Sequence, residues 1–170
     1  MRTILVILSI LFSCSLNAQT KEKNQIKIEQ GELGIVRDSN LEFKLLESGV
    51  YSKDRLSIIT IYTLTEQNFE QDCNVYSKYG KKYDIKISTK YQFNREAISN
   101  ISKLSNPIPL DYLKYELIPE IRFAAREITG YYTFDELDQN KAGKEILEFL
   151  KTRLKTGVLI KSIDIEIINK

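Results

Sequence analysis

The stretch Ile85-Lys86-Ile87-Ser88-Thr89-Lys90-Tyr91-Gln92-Phe93 decides how this chain folds. Its odd-numbered side chains are apolar, aromatic or β-branched, and its even-numbered side chains are polar. An alternation with a period of two predicts a β-strand with one buried face and one solvent-facing side. The rest of the chain must therefore supply apolar cover for one face of a sheet.

The residues before this strand predict further strands. Segment 77–82 contains Gly and polar residues and has the composition of a hairpin turn. Segment 57–64 is a continuous run of apolar and β-branched residues, which is typical of a strand covered on both faces. Segments 33–36 and 42–46 are shorter strand candidates.

After Pro119 the apolar period becomes that of a helix. One stripe contains Ile121, Ala124, Ala125 and Ile128. This spacing predicts an amphipathic helix, in which proline is compatible with the first turn. Gly130 is predicted to end the helix. We also expect a helical turn over residues 111–118, with Pro119 as the break between the two pieces.

A second helix is predicted further along the chain. Thr133 and Glu136 have the spacing of a capping box, which predicts a short helical turn. The helix that follows is expected to end at Thr156-Gly157. Its apolar face contains Ile146, Leu147, Leu150 and Leu154.

The last predicted strand changes parity. Val158 and Ile160 share one parity, and Ile163, Ile165 and Ile167, which alternate with polar residues, share the other. The two sets are out of phase at Lys161-Ser162. A slip of one residue inside a strand predicts a β-bulge. The predicted fold class is therefore α+β, with antiparallel strands first, then two helices and a closing strand.

The amino terminus has the form of an export signal. Residues 4–12 form an apolar run broken only by Ser9. The run is shorter than the roughly 20 apolar residues of a spanning helix, and it predicts a signal peptide over residues 1–18. Residues 19–30 are predicted to be a polar tether, and residues 31–170 one domain.

Three fates of this signal remain open. Cleavage after Ala18 leaves a free exported protein, whereas cleavage before Cys14 gives a lipoprotein, because Leu11-Phe12-Ser13-Cys14 is similar to a lipobox. The third outcome is an uncleaved anchor. In each case the body leaves the cytoplasm, so we expect a periplasmic or membrane-associated protein of the cell envelope.

Composition disfavours several function classes. The 170 residues include 25 basic and 23 acidic side chains, a balance that does not favour nucleic acid as a partner. The chain contains no His, so imidazole cannot serve as base, acid or metal ligand. Cys14 and Cys73 are the only cysteines, and we interpret Cys73 as a structural thiol.

Two clusters of side chains carry candidate chemistry. The carboxylates Asp135, Glu136 and Asp138 fit acid–base work or a hard cation, but we favour helix capping. The basic turn 78–82 fits either anionic lipid headgroups or a solvated hairpin tip. The sequence does not decide whether five tyrosines are buried or exposed: Tyr51, Tyr76, Tyr79, Tyr131 and Tyr132.

Four segments, in this order, resemble the SPFH family, also called band 7 or prohibitin-like. They are Gly31-Glu32-Leu33-Gly34-Ile35-Val36-Arg37, Leu117-Ile118-Pro119-Glu120-Ile121-Arg122-Phe123-Ala124-Ala125-Arg126, Tyr132-Thr133-Phe134-Asp135-Glu136-Leu137 and Thr156-Gly157-Val158-Leu159-Ile160-Lys161-Ser162-Ile163-Asp164-Ile165. The resemblance covers residues 31–170 and implies an SPFH-like domain. It also implies a non-catalytic scaffold or interaction module that associates with membranes and oligomerises.

The expected function follows from this resemblance and from the export signal. We expect membrane lipids or envelope proteins as partners, a possible homo-oligomer, and no nucleic acid. We expect no enzymatic activity, no cofactor, and no catalytic, cofactor-binding or metal-binding residues. The alternative is a soluble periplasmic protein that retains the fold and binds a single protein partner.

Overall fold

The computed structural model describes residues 25–37, 43–52, 57–102, 108–154 and 158–169. The signal peptide, Cys14 and Thr156-Gly157 lie outside these ranges. The described chain forms two compact units, one that ends at Ile61 and one that begins at Tyr62. Both units contain antiparallel strands and the second also contains helices, so the α+β class is confirmed.

The first unit is built from strands. They are β1 (Gln25–Ile28), β2 (Glu32–Arg37), β3 (Phe43–Leu46), β4 (Gly49–Ser52) and the start of β5 (Ile58–Thr63). β1 pairs antiparallel with β4, and β2 lies between β3 and β5 in a three-stranded sheet. Its buried apolar residues are Ile28, Leu33, Ile35 and Leu46.

Two expectations for this part of the chain differ from the structure. β1 is a strand inside the segment 19–30 that the sequence suggests is a polar tether, because Ile26 and Ile28 alternate with polar residues. The expectation that segment 57–64 is covered on both faces is wrong, since Ile58 is 67% exposed. β-Branched residues such as Ile58 suit a pleated, half-buried surface, so a run of them does not require cover on both faces.

The described part of the second unit contains a sheet, four α-helices and one π-helical segment. Its strands are β6 (Gln67–Tyr76), β7 (Lys82–Gln92) and β8 (Leu159–Asn169), in the order β6-β7-β8. Its helices are α1 (Arg95–Ile101), α2 (Pro109–Tyr112), α3 (Ile118–Thr129) and α4 (Gln139–Arg153), and a π-helical segment (Leu113–Leu117) joins α2 to α3.

The predicted alternation of β7 is confirmed. Ile85, Ile87, Thr89 and Tyr91 are buried, and Phe93, just beyond the strand, is 1% exposed. β7 pairs antiparallel with β6 and with β8 along its length. The other face of the sheet carries charged and polar side chains, so the sheet buries one face, as expected.

The predicted β-bulge in β8 is also confirmed. Ser162 pairs with Lys90, but Ile160 pairs with Tyr91, so Lys161 is an extra residue on the β8 side. The bulge returns Ile160 to the side of Ile163. A second shift of register leaves Ile168 as an extra residue near the end of the strand.

Helix α3 has the predicted stripe, since Ile121, Ala124, Ala125 and Ile128 are all buried. The expectation that Pro119 breaks the helix is wrong. The chain stays helical through Pro119 because the preceding turn widens: the Ile118 N–H donates to the Leu113 carbonyl five residues earlier. The wider π turn accommodates the Pro119 ring. Proline has no N–H to donate to the Tyr115 carbonyl, and in a regular α-helix its ring would collide with that carbonyl.

Helix α4 buries Ala142, Gly143, Ile146 and Leu150. Leu147 and Leu154, which the sequence places on the same face, are only partly buried. Thr133 and Glu136 form the expected turn, in which the Glu136 N–H donates to the Thr133 carbonyl (3.3 Å). Asp138, not Thr133, caps α4 by accepting from Asn140 N–H (2.9 Å) and Lys141 N–H (3.1 Å).

One core lies between the sheet and the helices of this unit. α3 packs on β6, α4 packs on α3 and on β8, and Ile87, Ile121 and Ile146 are each fully buried. The outer edge of β6 is covered by α3, because Arg122 and Arg126 donate to the carbonyls of Asp72 (3.4 Å) and Asn74 (3.2 Å). Such cover protects an edge strand from unwanted pairing.

Candidate interaction surface

The turn between β6 and β7 projects a pair of lysines and an aromatic ring into solvent. The Ser77 N–H donates to the Lys81 carbonyl (2.9 Å), and the Gly80 N–H donates to the Ser77 carbonyl (2.8 Å). Gly80 has a φ of 78°, a left-handed conformation that glycine adopts without a Cβ clash. These bonds hold Lys78, Tyr79 and Lys81 at the tip.

The end of α3 joins this tip. After Gly130, the Tyr132 N–H donates back to the Thr129 carbonyl (3.2 Å), and the Tyr132 carbonyl accepts from the Lys78 N–H (2.8 Å). The bond fixes the hairpin against the α3 end. We call the combined surface of Tyr76, Lys78, Tyr79, Lys81 and Tyr131 the tip surface.

The tip surface is aromatic and exposed. Tyr79 is 80% exposed, Tyr131 69% and Tyr76 53%. Tyrosine combines a large apolar ring with a hydrogen-bonding hydroxyl, and it is enriched where a protein meets another protein or a membrane interface. Three such rings at one end of a unit form a surface suited to contact.

Charge on the tip surface is balanced rather than strongly positive. Lys81 Nζ lies 4.3 Å from the centroid of the Phe134 ring. Glu136 lies close by: hydrogen bonds from Thr133 hold the pKa of its carboxyl below the ordinary value, and the positive charge of Lys78 lowers it further. The tip surface therefore combines exposed aromatic rings with lysines whose positive charge is partly balanced by Glu136.

The hydroxyls of the other two tyrosines left open by the sequence bond within the protein. The Tyr132 hydroxyl donates to Glu145 Oε2 (2.7 Å), and this bond raises the pKa of the phenol. The Tyr51 hydroxyl donates to the Glu47 carbonyl (2.9 Å) in the first unit. Both hydroxyls therefore serve local structure, and three of the five tyrosines remain for the tip surface.

Of the candidate carboxylates Asp135, Glu136 and Asp138, the last two accept hydrogen bonds that give them structural roles. Asp138 caps α4, and Glu136 accepts from the Thr133 hydroxyl (2.8 Å). Across the described ranges, no three His, Cys, Asp or Glu side chains meet in a group that could hold a metal ion. Helix and turn capping therefore explains the hydrogen bonds of Glu136 and Asp138.

Cys73 lies on the buried face of β6 and is 4% exposed. Burial raises the pKa of its thiol, against the lowering effect of Arg126 and Arg122 nearby. A thiol that is buried and protonated reacts slowly, which agrees with the structural role expected from the sequence.

Two surface features were not foreseen from the sequence. Arg153 lies 4.7 Å from the Phe123 ring centroid and 5.6 Å from that of Phe149, and its Nε donates to Glu120 (2.8 Å). The other feature is a groove of about 460 Å³ between α4 and β8. Neither has a local sequence signal, because each is formed where side chains of two different elements meet.

The sequence matches no protein-family model and no curated protein. Among the residues that the structure describes, no helix has the length and apolar character needed to cross a membrane.

Proposed function

We propose that this protein is a non-catalytic interaction module of the cell envelope, with an SPFH-like domain that works as a scaffold at the membrane. The tip surface is the observation that carries the proposal. Its exposed tyrosines and flanking lysines have the chemistry of an interfacial contact, because the rings suit the boundary between apolar and polar phases and lysines approach lipid headgroups.

The arrangement of elements supports the SPFH-like assignment. Segment 31–37, which carries the first part of the resemblance, contains β2. The Leu117 to Arg126 segment crosses from the π-helical turn into α3, and a turn follows over residues 134–136. A helix and a closing strand complete the order, and this agreement in the order of elements supports the proposal.

The tip surface also constrains how the module contacts its partner. Since the hairpin and the α3 end are hydrogen-bonded together, they present the tyrosines with little ordering cost on binding. Tyr79 and Tyr131 are each one residue from the Lys78–Tyr132 bond, so we expect a partner to contact both, whether that partner is a bilayer surface or an envelope protein.

The test is envelope association of the full chain carrying Cys14→Ser, so that no acyl group on Cys14 holds the protein at the membrane, in a bacterium with a periplasm. We expect Tyr79→Ser with Tyr131→Ser to move the protein from the membrane fraction to the soluble fraction. Tyr115→Ser is the matched control, because Tyr115 is 62% exposed on a different helical segment. Equal distribution of the tip variant and the control would overturn the proposal.

The processing of the amino terminus separates the anchored form from the soluble alternative. Mass spectrometry of the protein recovered from the envelope gives either an acylated Cys14 or a free residue after Ala18. An acylated Cys14 supports the membrane scaffold. The amino terminus can instead be free, with both the unmodified protein and the tip variant in the soluble fraction. That result favours the alternative, a periplasmic protein that binds a single protein partner.

A further inference from the structure

The groove between α4 and β8 has the size of a small-molecule site. Its volume is about 460 Å³, within the roughly 300–1,000 Å³ that ligand sites occupy. On the helix side it is lined by Asn140, Lys144 and Leu147, whose spacing places them on one face of α4. This wall offers a ligand an amide, an ammonium group and an apolar side chain.

The other wall of the groove is the start of β8, which contributes Lys161, Ser162 and Asp164. Lys161 is the bulged residue, so it lies outside the regular ladder with β7. This wall offers a second ammonium group, a hydroxyl and a carboxylate. The groove therefore contains charges of both signs.

The two walls are held together at the base of the groove. Gly143 and Ile163 line it and are buried, and a methyl group added at Gly143 would overlap the Ile163 carbonyl oxygen. The first turn of α4 is held by Asp138, which accepts from Asn140 N–H (2.9 Å) and Lys141 N–H (3.1 Å). A ligand therefore meets walls that are already ordered, which lowers the cost of binding.

The charged groups of the groove are available to a ligand. Within the described ranges, no salt bridge of 4.0 Å or less includes Lys144, Lys161 or Asp164. The residue opposite Asp164 on β7 is Ser88, so no lysine faces this carboxylate directly across the ladder. Two ammonium groups and one carboxylate can therefore take their close counter-charges from a bound molecule.

This mixture of charges favours a ligand that is itself a zwitterion. A simple anion would pair with Lys144 and Lys161 but would also meet the carboxylate of Asp164. A simple cation would pair with Asp164 and meet two ammonium groups. A molecule with one charge of each sign at its two ends pairs with all three.

The spacing along β8 gives the length of the ligand. A strand rises about 3.3 Å per residue, so the α-carbons of Lys161 and Asp164 are roughly 10 Å apart. An extended tripeptide spans roughly the same distance, whereas the two charges of a free amino acid are attached to one carbon. Asn140 and Ser162 can both donate and accept, as the peptide groups between the ends require.

We propose that the groove binds a free tripeptide of small residues, with its carboxylate at Lys144 and Lys161 and its ammonium group at Asp164. Leu147 contacts an apolar side chain of the peptide, and the contact between Gly143 and Ile163 limits the size of that side chain. The site goes beyond the proposed function, because it gives the module a small-molecule ligand away from the tip surface.

The probe is alanyl-alanyl-alanine with both ends free, titrated into the full chain. We expect saturable binding by calorimetry, with a Kd below about 1 mM, and shifts of the Asn140 and Ser162 amide signals in NMR spectra. No saturation up to about 10 mM peptide, or saturation without shifts at these two amides, would overturn the proposal.

Chemical changes to the peptide test its two ends. Acetylation of the amino end or amidation of the carboxyl end should each weaken binding about tenfold or more, because each removes one charge. Phosphoethanolamine, a zwitterion with closer charges, should also bind about tenfold or more weakly than the tripeptide. Equal affinities for the free peptide and either blocked peptide would contradict the assigned ends.

Substitutions in the protein identify the contact of each end. Asp164→Asn should weaken the free peptide about tenfold and remove the effect of acetylation. The matched control is Glu166→Gln, which changes an exposed carboxylate of β8 outside the groove and should leave the affinity unchanged. Equal affinities of these two variants would contradict the role of Asp164.

The lysines are tested in the same way. Lys144→Ala with Lys161→Ala should remove the effect of amidation, whereas Lys44→Ala with Lys82→Ala, exposed lysines outside the groove, should retain it. An effect of amidation that persists in the groove variant would contradict the assigned carboxylate site. Circular dichroism confirms that each variant is folded.

The tripeptide site and the tip surface are tested independently. Tyr79→Ser with Tyr131→Ser should bind the tripeptide with unchanged affinity, and the groove variants should keep the envelope distribution of the unmodified protein. Loss of peptide binding in the tip variant would contradict the assigned place of the site.

Discussion

The backbone N–H of Lys78 donates a 2.8 Å hydrogen bond to the carbonyl of Tyr132. This bond connects the hairpin turn of β6 and β7 to the end of α3, although the two residues are far apart in the sequence. It holds the segment with Tyr76 and Tyr79 against the segment with Tyr131, and it is the reason that we assign a common role to these three tyrosines.

Hydrogen exchange tests that bond directly. The Lys78 amide lies in an exposed turn, yet it should exchange at least about tenfold more slowly than the adjacent Tyr79 amide, because only the first is bonded across the tip. The measurement is residue-resolved exchange by NMR. Similar rates for the two amides would show that the hairpin and the α3 end move independently.

Gly143→Ala should destabilise the second unit. In an ordinary helix interior this substitution stabilises by about 1 kcal/mol, but here the added methyl meets the Ile163 carbonyl. We expect a net loss of about 1–3 kcal/mol in the free energy of unfolding, as in other overpacked sites. Denaturant unfolding measures it.

Lys144→Ala is the neighbouring control for Gly143→Ala. Lys144 is exposed, and its truncation should change the free energy of unfolding by no more than about 0.5 kcal/mol. A stabilised Gly143→Ala variant would mean that α4 does not lie against the edge of β8.

Deletion of Lys161 should be tolerated. Removal of the bulged residue leaves Ile160 opposite Tyr91 and Ser162 opposite Lys90, so the buried side of β8 is unchanged. Deletion of Asp164 instead turns Ile163 to the polar face, at a cost of about 1.5–3 kcal/mol for lost burial. Thermal unfolding of the two deletion variants should therefore differ clearly, and equal melting temperatures would contradict the bulge.

The buried tyrosines predict a loss of stability at alkaline pH. Burial raises the pKa of the phenols of Tyr62, Tyr83 and Tyr91 above the ordinary value of 10.0. Because the folded pKa values exceed the unfolded ones, the contribution of these groups is complete below about pH 10 and decreases as the pH rises towards the folded values.

Phenolate absorbance during a pH titration measures this effect. Of the ten tyrosines, Tyr62, Tyr83 and Tyr91 should ionise only above pH 10 or with unfolding. Ionisation of all ten in one step near pH 10, with the protein still folded, would contradict the described core.

The sequence predicts those elements whose signal is periodic and local. The alternation around Ile87 identifies β7, the stripe around Ile121 identifies α3, and the parity change at Lys161 identifies a bulge that the register contains. In each case a single strand or helix carries the pattern, because one face is buried and the other is not.

Short or non-local features are not predicted in this way. Helix α1 has only 7 residues, and its start depends on Asn94, whose side chain accepts from the Ala97 N–H (2.7 Å). The continuous helix through Pro119 depends on a π turn that no sequence period shows. The tip surface depends on the contact between Lys78 and Tyr132, and the groove depends on Gly143 beside Ile163.

The most direct test of the proposed function is site-specific photocrosslinking in living cells. The photoreactive residue p-benzoyl-phenylalanine replaces Tyr79 in the full chain, and in a parallel strain it replaces Tyr115. We expect Tyr79-position crosslinks to envelope lipid or to one envelope protein, and none of these products from the Tyr115 position. Identical products from both positions, or none from position 79, would contradict a role for the tip surface in contact with the envelope.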